Sequence, residues 1–63
     1  SRKGARSLFV VQDIKANAWL TEENVRSIRP GQGLHPKYLS KIIGKKATRY
    51  LKKGTPLAWE HIQ

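Results

Sequence analysis

The chain has 63 residues and no cysteine, which limits it to one small domain without a disulfide or a thiolate zinc site. Thirteen lysines and arginines against four acidic residues give a formal net charge of +9, so a nucleic acid has to be considered as a partner. No apolar run approaches the roughly 18 residues that a membrane helix needs, and no signal-peptide pattern is present. We therefore expect no membrane partner.

The chain begins with residues 1–6, which are basic and small and lack an initiator Met. This composition suits the end of a linker in a segment of a longer protein. The domain itself is predicted to span residues 7–63. Its first element is a buried strand over residues 7–11, because β-branched and aromatic residues are bounded there by polar ones.

An internal repeat relates residues 13–25 to residues 50–62 at a constant offset of 37 residues. Apolar positions coincide, as with Ile14 and Leu51. Asn17 aligns with Gly54, and since these residue types most readily take positive φ, we expect a turn there in each copy. In the first copy, Thr21 is the predicted N-cap of a single helical turn. Two equivalent units predict a compact, pseudo-twofold β fold, because a solenoid needs three or more repeats.

The segment 28–36 contains two prolines and two glycines, which excludes a regular element. Pro30–Gly31 is a type II turn signature. Pro30 also restricts Arg29 to extended conformations, and the guanidinium group of Arg29 offers a planar fork of donors to carbonyl or carboxylate oxygens. The residues alone leave two interpretations open: Arg29 contacts a ligand, or it pairs with a loop carbonyl or a neighbouring domain.

One helix is predicted between the two copies of the repeat. Pro36 stands at its first position and Gly44 just past its end. Apolar residues recur between them at helical spacing, at Tyr38, Leu39, Ile42 and Ile43. A helix-turn-helix DNA reader needs two or three such helices, so this pattern lowers the expectation of nucleic-acid binding.

Side chains that could perform chemistry are few. His35 and His61 lack the spacing of a metal site, and we expect each to be a surface or capping histidine. Trp19 and Trp59 are expected to pack in the core or against another domain. The four acidic residues form no evident acid–base pair. The sequence therefore predicts no catalytic residue, no metal site and no cofactor in this domain.

Several motifs resemble the C-terminal antifreeze-like (SAF) domain of bacterial N-acetylneuraminate (sialic acid) synthases, and the resemblance covers nearly the whole chain. The longest is the loop Arg29-Pro30-Gly31-Gln32-Gly33-Leu34-His35-Pro36. The others are Arg6-Ser7-Leu8, Asp13-Ile14-Lys15, Leu20-Thr21-Glu22-Glu23-Asn24, Gly44-Lys45-Lys46-Ala47 and Gly54-Thr55-Pro56-Leu57. The resemblance implies a mostly β structure with short helical turns, the β-clip fold.

The resemblance also implies a larger cytoplasmic protein with an N-terminal TIM barrel. Such a protein condenses phosphoenolpyruvate with an N-acylated amino sugar, N-acetylmannosamine in the type enzyme, using manganese or magnesium. The antifreeze-like domain is then no enzyme on its own. It closes over the barrel of the second subunit in a domain-swapped homodimer and supplies an arginine to the sugar, here Arg29. Pro30, Gly31, Gly33 and Pro36 would form the scaffold of that loop.

Two alternative functions come from other classes. No acidic residue lies between Asn24 and Trp59, although nine lysines and arginines do, so the domain could be a free-standing module for polyanions such as nucleic acid. The fold is shared with type III antifreeze protein, so ice binding is the other alternative. Asp13, Lys15, Trp19, Glu22 and Glu23 oppose it, because hydrated charges and a protruding indole disrupt a flat, apolar ice face.

Overall fold

The computed structural model describes residues 5–63; residues 1–4 of the predicted linker lie outside this range. Two strands come first, β1 (Ser7–Val10) and β2 (Val25–Ile28). A 3₁₀ turn over Pro36–Tyr38 leads directly into a short helix, α1 (Leu39–Ile42), and a second 3₁₀ turn covers Trp59–His61. The described residues are thus mostly non-helical, which confirms the predicted fold class.

The two strands pair antiparallel, with Leu8 opposite Ser27 and Val10 opposite Val25. All four residues of β1 are buried, as expected for a strand without an exposed polar face. The strand ends at Val10, one residue before the predicted end. Within residues 5–63, isolated bridges add to this pairing, and one of them joins Phe9 to Pro56.

The internal repeat is built as a pseudo-twofold arrangement of hydrogen bonds. Ile14 and Leu51, which are equivalent in the repeat, exchange both backbone bonds at 2.8 and 2.7 Å, so the pseudo-twofold axis passes between them. Other bonds occur in pairs related by the same offset: Asn17 N–H to Ala47 O and Gly54 N–H to Val10 O; Leu20 N–H to Lys45 O and Leu57 N–H to Leu8 O; Ala47 N–H to Ala18 O and Val10 N–H to Thr55 O. The predicted symmetry is therefore confirmed at the level of single backbone groups.

The predicted turns of both copies require a left-handed backbone. Asn17 has φ 68° and Gly54 has φ 96°, and these are the two positions that the repeat aligns. Asn and Gly tolerate this region best, because Asn can bond locally and Gly has no Cβ. The prediction of a turn at each position is confirmed.

The second half of each copy ends in a side-chain-capped turn. In the first copy, the side-chain oxygen Oδ1 of Asn24 accepts from Thr21 N–H at 2.8 Å, and Thr21 Oγ1 accepts from Glu23 N–H at 3.2 Å. In the second copy, Nδ1 of His61 accepts from Ala58 N–H at 3.0 Å. Asn24 and His61 are equivalent in the repeat, so an amide and an imidazole perform the same capping task.

The helical segment begins at Pro36 as predicted and ends at Ile42, one residue earlier than the place of Gly44 implies. It is a 3₁₀ turn followed by one α turn, and Ile43 leaves the helix with ψ 132°. Gly44 then takes φ 92°, consistent with its predicted place after the helix end. His35 caps the start, since its Nδ1 accepts from Lys37 N–H at 3.0 Å.

The core lies between the two copies of the repeat and the helix. Its buried members are Leu8, Val10, Ile14, Leu20, Val25, Ile42, Ala47, Leu51 and Leu57. Trp19 and Trp59 were expected to pack in the core or against another domain. Their placement in this core is wrong, because they are 57% and 50% exposed. A surface position is likewise wrong for His61, which is 5% exposed, although its capping role is confirmed.

Candidate functional site

The Arg29 loop, residues 28–34, leaves β2 at Ile28 and leads to the first 3₁₀ turn. Arg29 and its neighbours Ile28 and Pro30 are all exposed. Within residues 5–63, the guanidinium group of Arg29 makes no hydrogen bond and no ion pair. The pairing with a loop carbonyl that the sequence left open is therefore not formed within residues 5–63, and Arg29 is exposed.

A buried serine on β1 holds the Arg29 loop. The hydroxyl of Ser7 donates to Pro30 O at 2.8 Å and accepts from the N–H groups of Gln32 at 3.1 Å and Gly33 at 2.9 Å. Ser7 is 1% exposed, so water does not compete for these bonds. The loop next to Arg29 is thus tied to the sheet by a single side chain.

Gly33 lies where the loop passes over two hydrogen-bonded backbone segments. A Cβ at this position would be 2.4 Å from Leu8 O and 2.9 Å from Leu57 N. Both distances are shorter than the contacts that Cβ atoms make in proteins. Leu34 completes the attachment, because its N–H donates to Leu57 O and its carbonyl accepts from Leu8 N–H, both at 2.9 Å. The predicted scaffold role of Gly33 therefore has a steric basis.

The type II turn predicted at Pro30–Gly31 is wrong. Gly31 is not among the residues with positive φ, which the third position of that turn requires. Instead, Gln32 N–H bonds to Pro30 O at 3.0 Å, which closes a three-residue turn. The Arg29–Pro30 peptide bond is cis.

A cleft of about 390 Å³ borders the Arg29 loop on the side of the chain entry. It is lined by Ala5, Arg6, Gly31, Gly33, Leu34 and His35. Arg6 donates to Ser27 O at 3.1 Å, so a second guanidinium group is held near the end of the same two strands. Pro36 lies elsewhere, at a second and more open cleft of about 510 Å³. The other residues that line this second cleft are Glu22, Lys37, Leu39, Ser40 and Ile43.

The surface charge is strongly positive, and every base of the acid-free stretch is exposed: Arg26, Arg29, Lys37, Lys41, Lys45, Lys46, Arg49, Lys52 and Lys53. Hydrogen bonds from the backbone N–H of Lys53 and from the Tyr50 hydroxyl lower the pKa of the Asp13 carboxyl. This carboxylate therefore acts as a hydrogen-bond acceptor for the second copy of the repeat. Among the described side chains, no three His, Asp or Glu residues lie together as a metal site.

The exposed aromatic residues lie outside the Arg29 loop. Trp59 contacts Tyr38 edge-on with ring centroids 5.1 Å apart, and Lys46 Nζ lies 4.8 Å from the ring centre of Trp19. In the first copy of the repeat, the side chains of Lys15, Trp19, Glu22 and Glu23 are exposed. This surface is charged and uneven, which argues against an ice-binding face.

The sequence predicts Arg29 and the loop glycines as site residues but does not predict the contact of Ser7 with their loop. The signal was a single polar residue at the start of an otherwise apolar buried strand, Ser7-Leu8-Phe9-Val10. A buried hydroxyl needs partners, and the nearby Pro/Gly segment contains backbone groups without regular pairing.

No helix within residues 5–63 is long and apolar enough to cross a membrane.

Comparison with known proteins identifies relatives of this chain. The chain is 49% identical over 59 residues to the pseudaminic acid synthase of Helicobacter pylori, covering 94% of this chain and 17% of that protein. It is 36% identical over 58 residues to the N,N'-diacetyllegionaminic acid synthase of Legionella pneumophila, covering 92% of this chain and 16% of that protein. The chain thus spans about one sixth of the length of these curated relatives.

The fold is matched by a crystal structure of the spore coat polysaccharide biosynthesis protein spsE from Bacillus subtilis. The TM-score is 0.84 at 31% identity, over 92% of this chain and 17% of that one. The family profile described as the SAF domain matches residues 5–63. The chain therefore belongs to the SAF domain family, in the branch whose relatives are synthases of sialic-acid-like sugar acids.

Proposed function

We propose that this domain is the non-catalytic substrate-site cap of a synthase that condenses phosphoenolpyruvate with an N-acylated amino sugar. The rest of the protein would contain a TIM barrel, and the domain would close over the barrel of the second subunit in a homodimer. Closure of this kind excludes water and orients the substrate. Arg29 would be the residue that reaches the sugar.

The guanidinium group of Arg29, which is exposed and has no hydrogen-bond or ion-pair partner within residues 5–63, is the observation that carries this proposal. It stands on a loop that Ser7 and Gly33 hold in place, so little conformational entropy remains to be lost by the backbone on binding. Arginine donors match the carbonyl and carboxylate oxygens of an N-acylated sugar and its acidic product. A positively charged cap also suits a barrel that holds anionic phosphoenolpyruvate.

The divalent metal of such a synthase does not fit this domain. Metal ions of this kind prefer several carboxylate, carbonyl or imidazole ligands. Within residues 5–63, no group of three His, Asp or Glu side chains could hold one. We assign the manganese or magnesium ion to the barrel.

We further propose pseudaminic acid as the product of the complete protein. The 49% identity to the pseudaminic acid synthase exceeds the 36% identity to the legionaminic acid synthase over nearly the same residues. The full-length protein is expected to turn over the N-acylated sugar from which pseudaminic acid is built faster than N-acetylmannosamine. A higher kcat/KM for N-acetylmannosamine would contradict this assignment.

The test of the cap role is the condensation rate of the full-length protein with Arg29→Ala. We expect kcat/KM to fall at least tenfold, about 1.4 kcal/mol of transition-state stabilisation. Arg29→Lys should recover part of the loss, because Lys keeps the charge but not the fork. Arg49→Ala is the matched control, since Arg49 is also exposed but pairs with Glu60 at 3.0 Å. An unchanged rate in a folded Arg29→Ala protein would refute the role of Arg29.

Binding of a polyanion is the alternative, and the nine exposed bases of the acid-free stretch favour it. A nucleic-acid partner would give an affinity that falls steeply with salt concentration. The exposed indoles of Trp19 and Trp59 would report binding of duplex DNA or single-stranded RNA by fluorescence. Binding that persists at physiological salt would favour this alternative, whereas loss of binding there would leave the cap role as the better account.

A further inference from the structure

We infer that Ser7 is a positioning residue for Arg29, which fixes the loop that presents the guanidinium group to substrate. This inference rests on the proposed function of Arg29 and deepens it. Ser7 itself is buried and does not touch a ligand. Its effect on the reaction would pass through the backbone of residues 30–33.

The hydroxyl of Ser7 is fully used by the loop. A serine hydroxyl has one donor and two acceptor positions. The donor bonds to Pro30 O, and the two acceptor positions receive the N–H groups of Gln32 and Gly33. Three bonds at 2.8, 3.1 and 2.9 Å fix the position of the chain directly after Arg29.

The loop has few other attachments. Its ends are bound by the strand pair of Ser7 with Ile28 and by the two bonds of Leu34. Between these ends, Ser7 is the one side chain in the described part of the structure that bonds to residues 30–33. Without its hydroxyl, only the short Gln32–Pro30 turn would remain, and the position of Arg29 would be set by the loop ends alone.

The position equivalent to Ser7 in the pseudo-twofold arrangement carries no hydroxyl. The residue equivalent to Ser7 in the second copy is Gly44, which has no side chain. Gly44 N–H donates to Leu20 O, whereas the carbonyl equivalent to Leu20 O, that of Leu57, accepts from Leu34 of the Arg29 loop. Serine thus occurs on the side of the axis where the loop is attached, and glycine on the side without such a loop.

The first arm of the experiment measures loop order in the 63-residue chain without any substrate. Amide hydrogen exchange at Gln32 and Gly33 should accelerate at least tenfold in Ser7→Ala, while exchange at Leu8 and Val10 stays protected. Ser27→Ala is the matched control, because Ser27 lies on the neighbouring strand and its hydroxyl makes no hydrogen bond within the described residues. Unchanged exchange at Gln32 and Gly33 would overturn the inference. If Ser7→Ala does not fold, Ser7→Cys, whose thiol is larger than the hydroxyl but is only a weak donor and acceptor, replaces it.

The second arm measures coupling to Arg29 in the full-length protein. The values of kcat/KM are compared for the wild type, Ser7→Ala, Arg29→Ala and the double variant. We expect Ser7→Ala to lower kcat/KM at least fivefold in the presence of Arg29 and to have almost no further effect in its absence. Equal losses in both backgrounds would mean that Ser7 acts independently of Arg29, and would overturn the inference.

The two proposals fail in different ways. If Arg29→Ala leaves kcat/KM unchanged, the proposed role of Arg29 fails, and with it the relevance of Ser7 to the reaction. The exchange arm still decides whether Ser7 orders the loop. If Arg29→Ala lowers kcat/KM but Ser7→Ala does not, the cap role stands and the positioning role of Ser7 is refuted.

Discussion

Replacement of Gly33 by alanine is expected to destabilise the domain strongly, because no space exists for a Cβ. That atom would be 2.4 Å from Leu8 O, 2.9 Å from Leu57 N and 3.1 Å from Leu57 O. All three neighbours are backbone atoms, so no side chain can rotate away. The Leu57 N–H to Leu8 O bond, 2.9 Å long, joins the two copies of the repeat directly beneath the loop.

The expected cost follows from two contributions. Forcing a methyl group into a filled space costs about 1–3 kcal/mol, and distortion of the Leu57–Leu8 hydrogen bond adds roughly 0.5–1.5 kcal/mol. A total of about 1.5–4.5 kcal/mol would lower Tm by roughly 6 to 36 °C for a domain of this size. Urea and thermal unfolding of the 63-residue chain, followed by far-ultraviolet circular dichroism, would measure the change.

Gly31→Ala is the matched control in the same loop. The Cβ at Gly31 would be 3.1 Å from the Cβ of Ala5 and no closer than 3.6 Å to its other neighbours, so a small shift of the entering chain accommodates it. Both substitutions remove the same flexibility from the unfolded chain, and the comparison isolates the steric effect. We expect a change within about 1 kcal/mol for Gly31→Ala. Equal stability of the two variants would refute the steric argument at Gly33.

Two further predictions concern the repeat. The Asn17→Ala variant should be about 1 kcal/mol less stable than the Asn17→Gly variant in urea unfolding. Both variants lose the Asn17 side chain, but only Ala is strained at φ 68°. Equal stability of the two variants would contradict this prediction. Burial lowers the pKa of His61, and the charge of Arg49 lowers it further, whereas Glu60 raises it. Because the pKa of His61 is lower in the folded chain, the unfolded chain binds more protons than the folded chain. The free energy of unfolding should therefore fall as pH decreases below about 6.5, by at most about 1.4 kcal/mol per pH unit. His61→Asn should keep the cap, as Asn24 does, and flatten this slope; an unchanged slope would show that another group titrates.

The parts of the fold that the sequence predicts are those with a local cause. Asn17 and Gly54 align in the repeat and both take positive φ, because that conformation is selected by the residue itself. Pro36 and Gly44 likewise mark the start and end of the helical segment. The burial of Ile14 and Leu51 also follows from the repeat, although their pairing with each other depends on the twofold arrangement.

The parts that could not be predicted depend on distant contacts. The segment at Pro30–Gly31 is hydrogen-bonded to Ser7, more than twenty residues earlier, and does not adopt the type II turn that the local Pro–Gly preference predicts. Trp19 and Trp59 are large and apolar, yet smaller aliphatic residues fill the core and leave both indoles at the surface. For the site, the exposure of Arg29 was predictable from its loop, but the hydroxyl that fixes the loop was visible only in three dimensions.

The central claim is that Arg29 reaches the sugar at the active site of a synthase. A crystal structure of the full-length protein with its N-acylated sugar bound would test it most directly. We expect a guanidinium nitrogen of Arg29 about 2.7–3.2 Å from a sugar oxygen, with the domain over the barrel of the second subunit. An Arg29 that bonds only to its own barrel or remains in solvent, with the sugar held entirely by other residues, would contradict it.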